Sequence, residues 1–182
     1  MEDLKGMKIR STGLSAKIVE NLGGVSVAMP QGATYENLQK GVVQGTLAPM
    51  ETLKGWKQAQ VVKYTTDCRN IGYTTAMFIV MNKKKWDALP ADVQKVFDEV
   101  SRQWIAVAGK AWDEADVEGH KYSAELGNKT IELSAEEAAR WKKAVAPVVD
   151  NYIKDMESKG LPGKQAVSEV ETLIKKYSKE NK

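Results

Sequence analysis

Cysteine and histidine each occur only once in this 182-residue chain, at Cys68 and His120. A single cysteine permits no intrachain disulfide, and a histidine with no second His or Cys near it offers no zinc-ligand spacing. The same scarcity leaves no histidine base beside a serine or cysteine nucleophile, so a catalytic triad is not expected. No apolar run approaches the ~20 residues needed to cross a bilayer; the longest, Ala76 to Met81, is strand-sized. The opening Met1-Glu2-Asp3-Leu4-Lys5-Gly6 carries acids and no apolar segment, so it does not read as a signal peptide. That leaves open both a cytoplasmic protein and one whose coded N-terminus has been cut away. A large charge excess is missing too: 27 basic and 24 acidic side chains leave a net charge of +3, too small and too evenly spread for nucleic acid. The only basic run, Lys83-Lys84-Lys85, reads as a solvated loop. Gly23-Gly24 belongs to neither a dinucleotide fingerprint nor a Walker loop, and the paired acids Glu136-Glu137 and Glu169 with Glu171 lie on polar helix faces. No catalytic residue, metal ligand or cofactor motif is therefore expected.

A hydrophobic fraction of 42% and a charged fraction of 28% are ordinary for a soluble globular chain with a real core. Through residue 66, short strand-like and short helical runs alternate. Met7 to Arg10 reads as a strand, Ser15 to Leu22 as a helix stopped by Gly23-Gly24, and Val25 to Met29 as a second strand. Thr34 to Lys40 reads as a helix with Tyr35 and Leu38 at i, i+3. Val42 to Leu47 follows as a short strand, Met50 to Trp56 as a helical turn or two, and Gln60 to Thr66 as another strand. Strands and helices alternating at this interval argue for a mainly parallel, doubly wound α/β lobe.

Tyr73 to Met81 reads as a longer apolar strand, after which the chain turns almost wholly helical. Apolar residues at Val93, Val96, Phe97, Val100, Trp104, Val107, Ala111 and Ala115 keep helical spacing from Pro90 to about Leu126. At ~1.5 Å per residue that is roughly 50 Å, a length suited to spanning two bodies. Thr130 to Leu133 is a short extended return. Ser134-Ala135-Glu136-Glu137 has capping-box spacing and opens a helix with Trp141, Val145, Val148 and Tyr152 on one face. Gly160-Leu161-Pro162-Gly163 separates it from a last helix.

The residue that points to chemistry is Arg10, at the carboxyl end of a strand and followed by the small residues Ser11-Thr12-Gly13. In open α/β sheets ligands lie beyond those strand ends, and an arginine fork matches a carboxylate. A surface arginine paired with a nearby acid is the plainer reading of the same pattern.

The segment Leu4-Lys5-Gly6-Met7-Lys8-Ile9-Arg10 closely resembles the opening of the C-terminal half of solute-binding proteins of TRAP (tripartite ATP-independent periplasmic) transporters. The resemblance continues through Val27-Ala28-Met29-Pro30, through Tyr35 to Gly45 and through Val80 to Pro90, in order and spacing over nearly the whole chain. It implies a periplasmic-binding-protein-like lobe with a doubly wound sheet, a long inter-lobe helix and C-terminal helices, the first lobe being largely missing. It also implies that Arg10 grips the carboxylate of a small organic acid, with Thr12, Gln31, Thr46, Ala48 and Pro49 around it. Tyr73 and Thr75 complete the expected set. Ala48 and Gln31 depart from the Asn and Phe of sialic-acid-type members, which disfavours a polyhydroxylated sugar acid.

On this resemblance residues 1–72 form the second lobe, 73–112 belong partly to the first, and 113–182 pack back on the second. The implied work is periplasmic capture of a small carboxylate between two lobes and its delivery to the TRAP membrane permease. A helical protein-interaction module built on residues 90 to 179, or an enzyme that binds a carboxylate through Arg10, are the other readings. The 73–81 strand, without its sheet, is expected to pair with its copy in a homodimer, helped by the long helix.

Overall fold

A computed structural model describes residues 1–71, 73 and 75–180, of which residues 178–180 are described in their backbone alone. Its first layer is a parallel sheet of three very short strands. Strand β1 (Lys8–Arg10) lies between β2 (Val25–Val27) and β3 (Gly45–Thr46), in register Arg10↔Val27 and Arg10↔Thr46. Helix α1 (Leu14–Asn21) joins β1 to β2, and α2 (Gln31–Gln39) carries the chain back past β1 to β3. The order therefore reverses beside β1, which makes the crevice at the ends of β1 and β3 a topological switch point. Ile9 and Arg10 are both buried, the mark of a strand covered on both faces. Ile9 and Val19 of α1 crowd Gly24, where an added Cβ would lie 2.9 Å from the Val19 side chain. Arg10, next along the strand, faces the opposite side.

A second parallel pair, β4 (Tyr64–Asp67) with β5 (Lys129–Glu132), runs in register from Tyr64↔Lys129 to Asp67↔Glu132. Helix α3 (Thr52–Gly55) precedes β4, and α4 (Lys83–Asp87) and the long α5 (Ala91–Glu125) lie between β4 and β5. Helix α5 is continuous over 35 residues, as its spacing predicts. Its C-terminal part seats on α3 through Gly119, whose missing Cβ would come within 2.1 Å of the Met50 carbonyl oxygen. The Glu51 amide donates to Asp116 at 2.8 Å, and Gln60 donates to the Tyr122 hydroxyl at 2.9 Å. The N-terminal part is mostly exposed, with Trp104 54% and Ile105 75% accessible.

Helix α6 (Ala135–Ser158) follows β5 and leads to α7 (Gly163–Glu180). The Ser134 hydroxyl accepts from the Glu137 amide at 3.2 Å, the first half of the expected capping box. Glu137 does not reach back; its carboxylate accepts from Arg140 and from the Trp141 indole at 2.8 Å. Trp141 and Val145 pack with Leu22 and Ile71 into an apolar cluster, so α6 clamps α1 to the turn that follows β4. Pro147 lies inside α6 and forfeits one backbone hydrogen bond without ending the helix.

Several expectations need correction. Residues 73 and 75–81 form no strand, and Phe78, Ile79 and Val80 are highly exposed; Gly72 and Thr74 lie outside the described residues. Their apolar, β-prone sequence has no adjacent strand on which to complete a ladder, and strand propensity acts only through such pairing. Lys83 to Lys85 belong to α4 rather than a loop, because the Asn82 side chain accepts from the Lys84 amide at 3.0 Å and caps it. The paired strand within 42–47 is only Gly45–Thr46, and that within 60–66 begins at Tyr64. Helix α2 starts three residues earlier than Thr34, directly after Pro30.

Candidate ligand-binding site

Arg10 ends β1 at the switch point, between Val27 and Thr46. Only 8% of it is exposed. Its Nε donates to the Met29 carbonyl at 3.1 Å, in the segment that leads into α2. Among the described residues no carboxylate pairs with it, so the reading of a surface arginine with a neighbouring acid does not describe this side chain. Burial pushes the guanidinium below its ordinary value, and the Tyr73 phenol opposes that shift. A guanidinium stays charged all the same. A buried cation without a counter-charge is costly, and a bound anion would relieve it.

Two neighbours are also left wanting. The Gln31 Nε2 and Thr46 Oγ1 atoms are buried without a hydrogen-bond partner among the described residues. Gln31 is the first residue of α2, whose leading amides no helix can satisfy internally. Thr46 is Arg10's register partner. Cross-strand neighbours point to one face, so Thr46 and Arg10 share a side of the sheet. An arginine fork, a hydroxyl, an amide and a helix N-terminus together can hold a carboxylate by charge-assisted hydrogen bonds.

Thr46, Ala48, Pro49, Tyr73 and Thr75 line one wide groove between the sheet and α5. Its far wall carries Phe78, Phe97, Trp104 and Trp112, and its volume is about 2700 Å³. A small-molecule pocket spans about 300–1,000 Å³, so a ligand would occupy only a corner. The Tyr73 hydroxyl accepts from Thr75 Oγ1 at 3.3 Å. Arg10 and Gln31 are not among the residues that line the groove. Thr12 stands apart: it is exposed, and its carbonyl accepts from the Ser15 hydroxyl at 2.6 Å at the start of α1.

Gln58 was not foreseen. It lines the groove, is 1% exposed, and leaves both amide atoms without a hydrogen-bond partner among the described residues. It lies in the polar stretch Lys57-Gln58-Ala59-Gln60, where no periodicity separates a buried glutamine from an exposed one.

Sheet order and switch point define an α/β lobe with an uncompensated buried arginine at its strand ends. Residues 1–155 match the family model described as bacterial extracellular solute-binding protein, family 7 (DctP). The C4-dicarboxylate-binding periplasmic protein DctP of Rhodobacter capsulatus is 32% identical over 154 residues, covering 82% of this chain and 45% of that protein. Among solved structures, a TRAP periplasmic solute-binding protein of Desulfovibrio salexigens is 34% identical with a TM-score of 0.75, covering 96% of this chain and 55% of that one. It is an open complex with the C-terminus of a symmetry mate in its ligand-binding site. A TRAP solute-binding protein of Rhodoferax ferrireducens, in complex with copurified benzoate, is 27% identical with a TM-score of 0.81, covering 100% of this chain and 58% of that one. The chain belongs to this solute-binding family and spans about half the length of these relatives.

Proposed function

We propose that this chain is the Arg10-bearing part of a periplasmic TRAP solute-binding protein, and that it holds a small organic carboxylate for delivery to a membrane permease. The observation that carries the reading is Arg10 itself, buried at a switch point, charged, and without a carboxylate partner among the described residues. Gln31 and Thr46 add hydrogen-bond capacity that no described residue uses. The apolar character of Ala48, Pro49 and Tyr73 suits the carbon skeleton of an acid better than a sugar's hydroxyls. The benzoate bound to the Rhodoferax relative agrees with such a skeleton.

In this proposal residues 1–72 form the gripping lobe. Residues 73–112 present an apolar face toward a second body, and 113–182 brace the lobe through α5, α6 and α7. Closure of two bodies over the ligand would be a hinge motion. Thr12 enters only if its exposed side chain meets the ligand on closure.

Titration calorimetry of the chain with benzoate tests the reading. Saturable one-to-one binding is expected, weakened by ~1–3 kcal/mol in Arg10→Lys because a lysine loses the planar fork. Absence of binding, or equal affinity in Arg10→Lys, would overturn it.

A further inference from the structure

We propose that α7 is a pairing surface for a second copy of this chain, laid antiparallel against it about a two-fold axis near Thr172 and Leu173. This face is separate from the ligand site, and the inference does not rest on the carboxylate reading.

The first observation is an apolar stripe left open. The first turn of α7 is held against α6 at Gly163, where an added Cβ would lie 2.8 Å from the Ile153 carbonyl oxygen and 3.0 Å from the Met156 Cβ. Beyond that turn Val170, Leu173, Ile174 and Tyr177 recur at helical spacing, each between 50 and 54% exposed. A helix of 18 residues gains little from propensity alone, and packing of its apolar face supplies most of its stability. None of the described residues of α7 lines the groove beside α5, so a cover on this stripe leaves the groove open.

The second observation, charge, says what covers it. From Val167 to Tyr177 the charged residues are Glu169 and Glu171, then Lys175 and Lys176. Glu169 and Lys176 are two turns apart and share one edge of the stripe, while Glu171 and Lys175, four residues apart, share the other. Both pairs straddle the same point, between Thr172 and Leu173. A copy turned end for end about that point sets Glu169 against its Lys176 and Glu171 against its Lys175 in a single register. Leu173 and Ile174 then lie at the middle of the apolar contact. A parallel copy would bring acids to acids and lysines to lysines, which is unfavourable. A two-fold pair of this kind closes at two chains.

Nothing within the chain accounts for the division of charge. No ion pair among the described residues uses any of the four groups. Glu169 accepts from the Gln165 amide at 3.0 Å, and the Lys176 Nζ stands 4.9 Å from the centre of the Tyr177 ring. The helix dipole favours acids early and lysines late, but its effect fades beyond the first and last turns, and these four residues lie between them.

The test is thiol cross-linking of the whole chain carrying Cys68→Ser, so that an introduced cysteine is the only thiol. The changed positions of α7 are all exposed, which leaves the core alone. Leu173→Cys should couple to its own copy through a short reagent that bridges two thiols. Tyr177→Cys should not, because antiparallel copies hold that position roughly 15 Å apart along the axis, whereas a parallel pair would bring it together. Adding Glu169→Lys and Glu171→Lys to the Leu173→Cys chain should slow coupling by about tenfold, as attraction at the rim becomes repulsion. Adding Lys175→Glu and Lys176→Glu as well should restore it, since the inverted pattern is again self-complementary. A charge effect confined to the helix itself would not recover in this way. Absence of coupling at 173 would mean that a different polypeptide covers the stripe, and would overturn the proposal. Equal coupling at 177, or no recovery when all four charges are reversed, would overturn it too.

Discussion

Arg10 and Thr46 are register partners across the parallel seam of β1 and β3, a buried cation beside a buried hydroxyl with no partner among the described residues. In the proposed reading a carboxylate would sit at this juxtaposition, beyond the strand ends.

A trade-off between stability and binding follows. Replacing a buried, uncompensated charge with an apolar side chain of similar length removes its desolvation cost, although Met29 would lose its donor. Arg10→Met is expected to raise the unfolding free energy of the ligand-free chain by about 1 kcal/mol while abolishing benzoate binding. Denaturant melts and calorimetry of one preparation check both. A variant that is less stable and still binds would contradict the site.

Two glycines of α5 should respond to alanine in opposite directions. At Gly119 a Cβ would meet the Met50 carbonyl at 2.1 Å, and since the obstacle is backbone, α3 and α5 must separate. Gly119→Ala should cost about 1–3 kcal/mol, as overpacking does. Gly109 has nothing within 4 Å of its would-be Cβ, so Gly109→Ala should stabilise by about 1 kcal/mol through helix propensity alone. Thermal melts showing the same sign at both positions would refute the docking of α5 on α3.

Glu2 tests the clasp between the start of the chain and α6. The Arg140 guanidinium beside it lowers its pKa from 4.5 to about 2. A depressed folded-state value means that the contribution is present above pH 4.5 and is lost as pH falls toward about 2. Because Glu2 is exposed, the effect on stability should be small and screened by salt. Following the Glu2 carboxyl by nuclear magnetic resonance should show its midpoint return toward 4.5 in Arg140→Gln. An unmoved midpoint would remove Arg140 as the cause.

The apolar face made by Phe78, Ile79, Trp104 and Ile105 should cause self-association, since exposed patches of this kind seek cover. Sedimentation of the chain should show a mass that rises with concentration, and Ile79→Ser with Ile105→Ser should suppress the rise. A single species of about 20 kDa at every concentration, consistent with the 20.1 kDa chain, would rule association out.

Much of the helical half was legible because helical hydrogen bonds close within four residues. The apolar spacing from Val93 to Ala115 foretold the continuous α5, and Ser134 foretold the start of α6. The second half of that capping box was not legible: whether Glu137 turns back or forward depends on Arg140 and Trp141 standing one turn on. Strands gave less. The β-prone stretch from residue 73 to 81 reads like the best strand in the chain, yet its described residues pair with nothing, while three residues around Ile9 form the centre of a sheet.

Sequence by itself thus determined the long helices, the order of the α/β units and the arginine at a strand end, because each rests on neighbours along the chain. Only the tertiary structure decided which strands pair, that Arg10 is buried without an acid among the described residues, and that Gln58 is buried with its amide unpartnered among them. Those outcomes depend on which distant backbone supplies a hydrogen-bonding edge and which distant side chains exclude water, and nothing local encodes either.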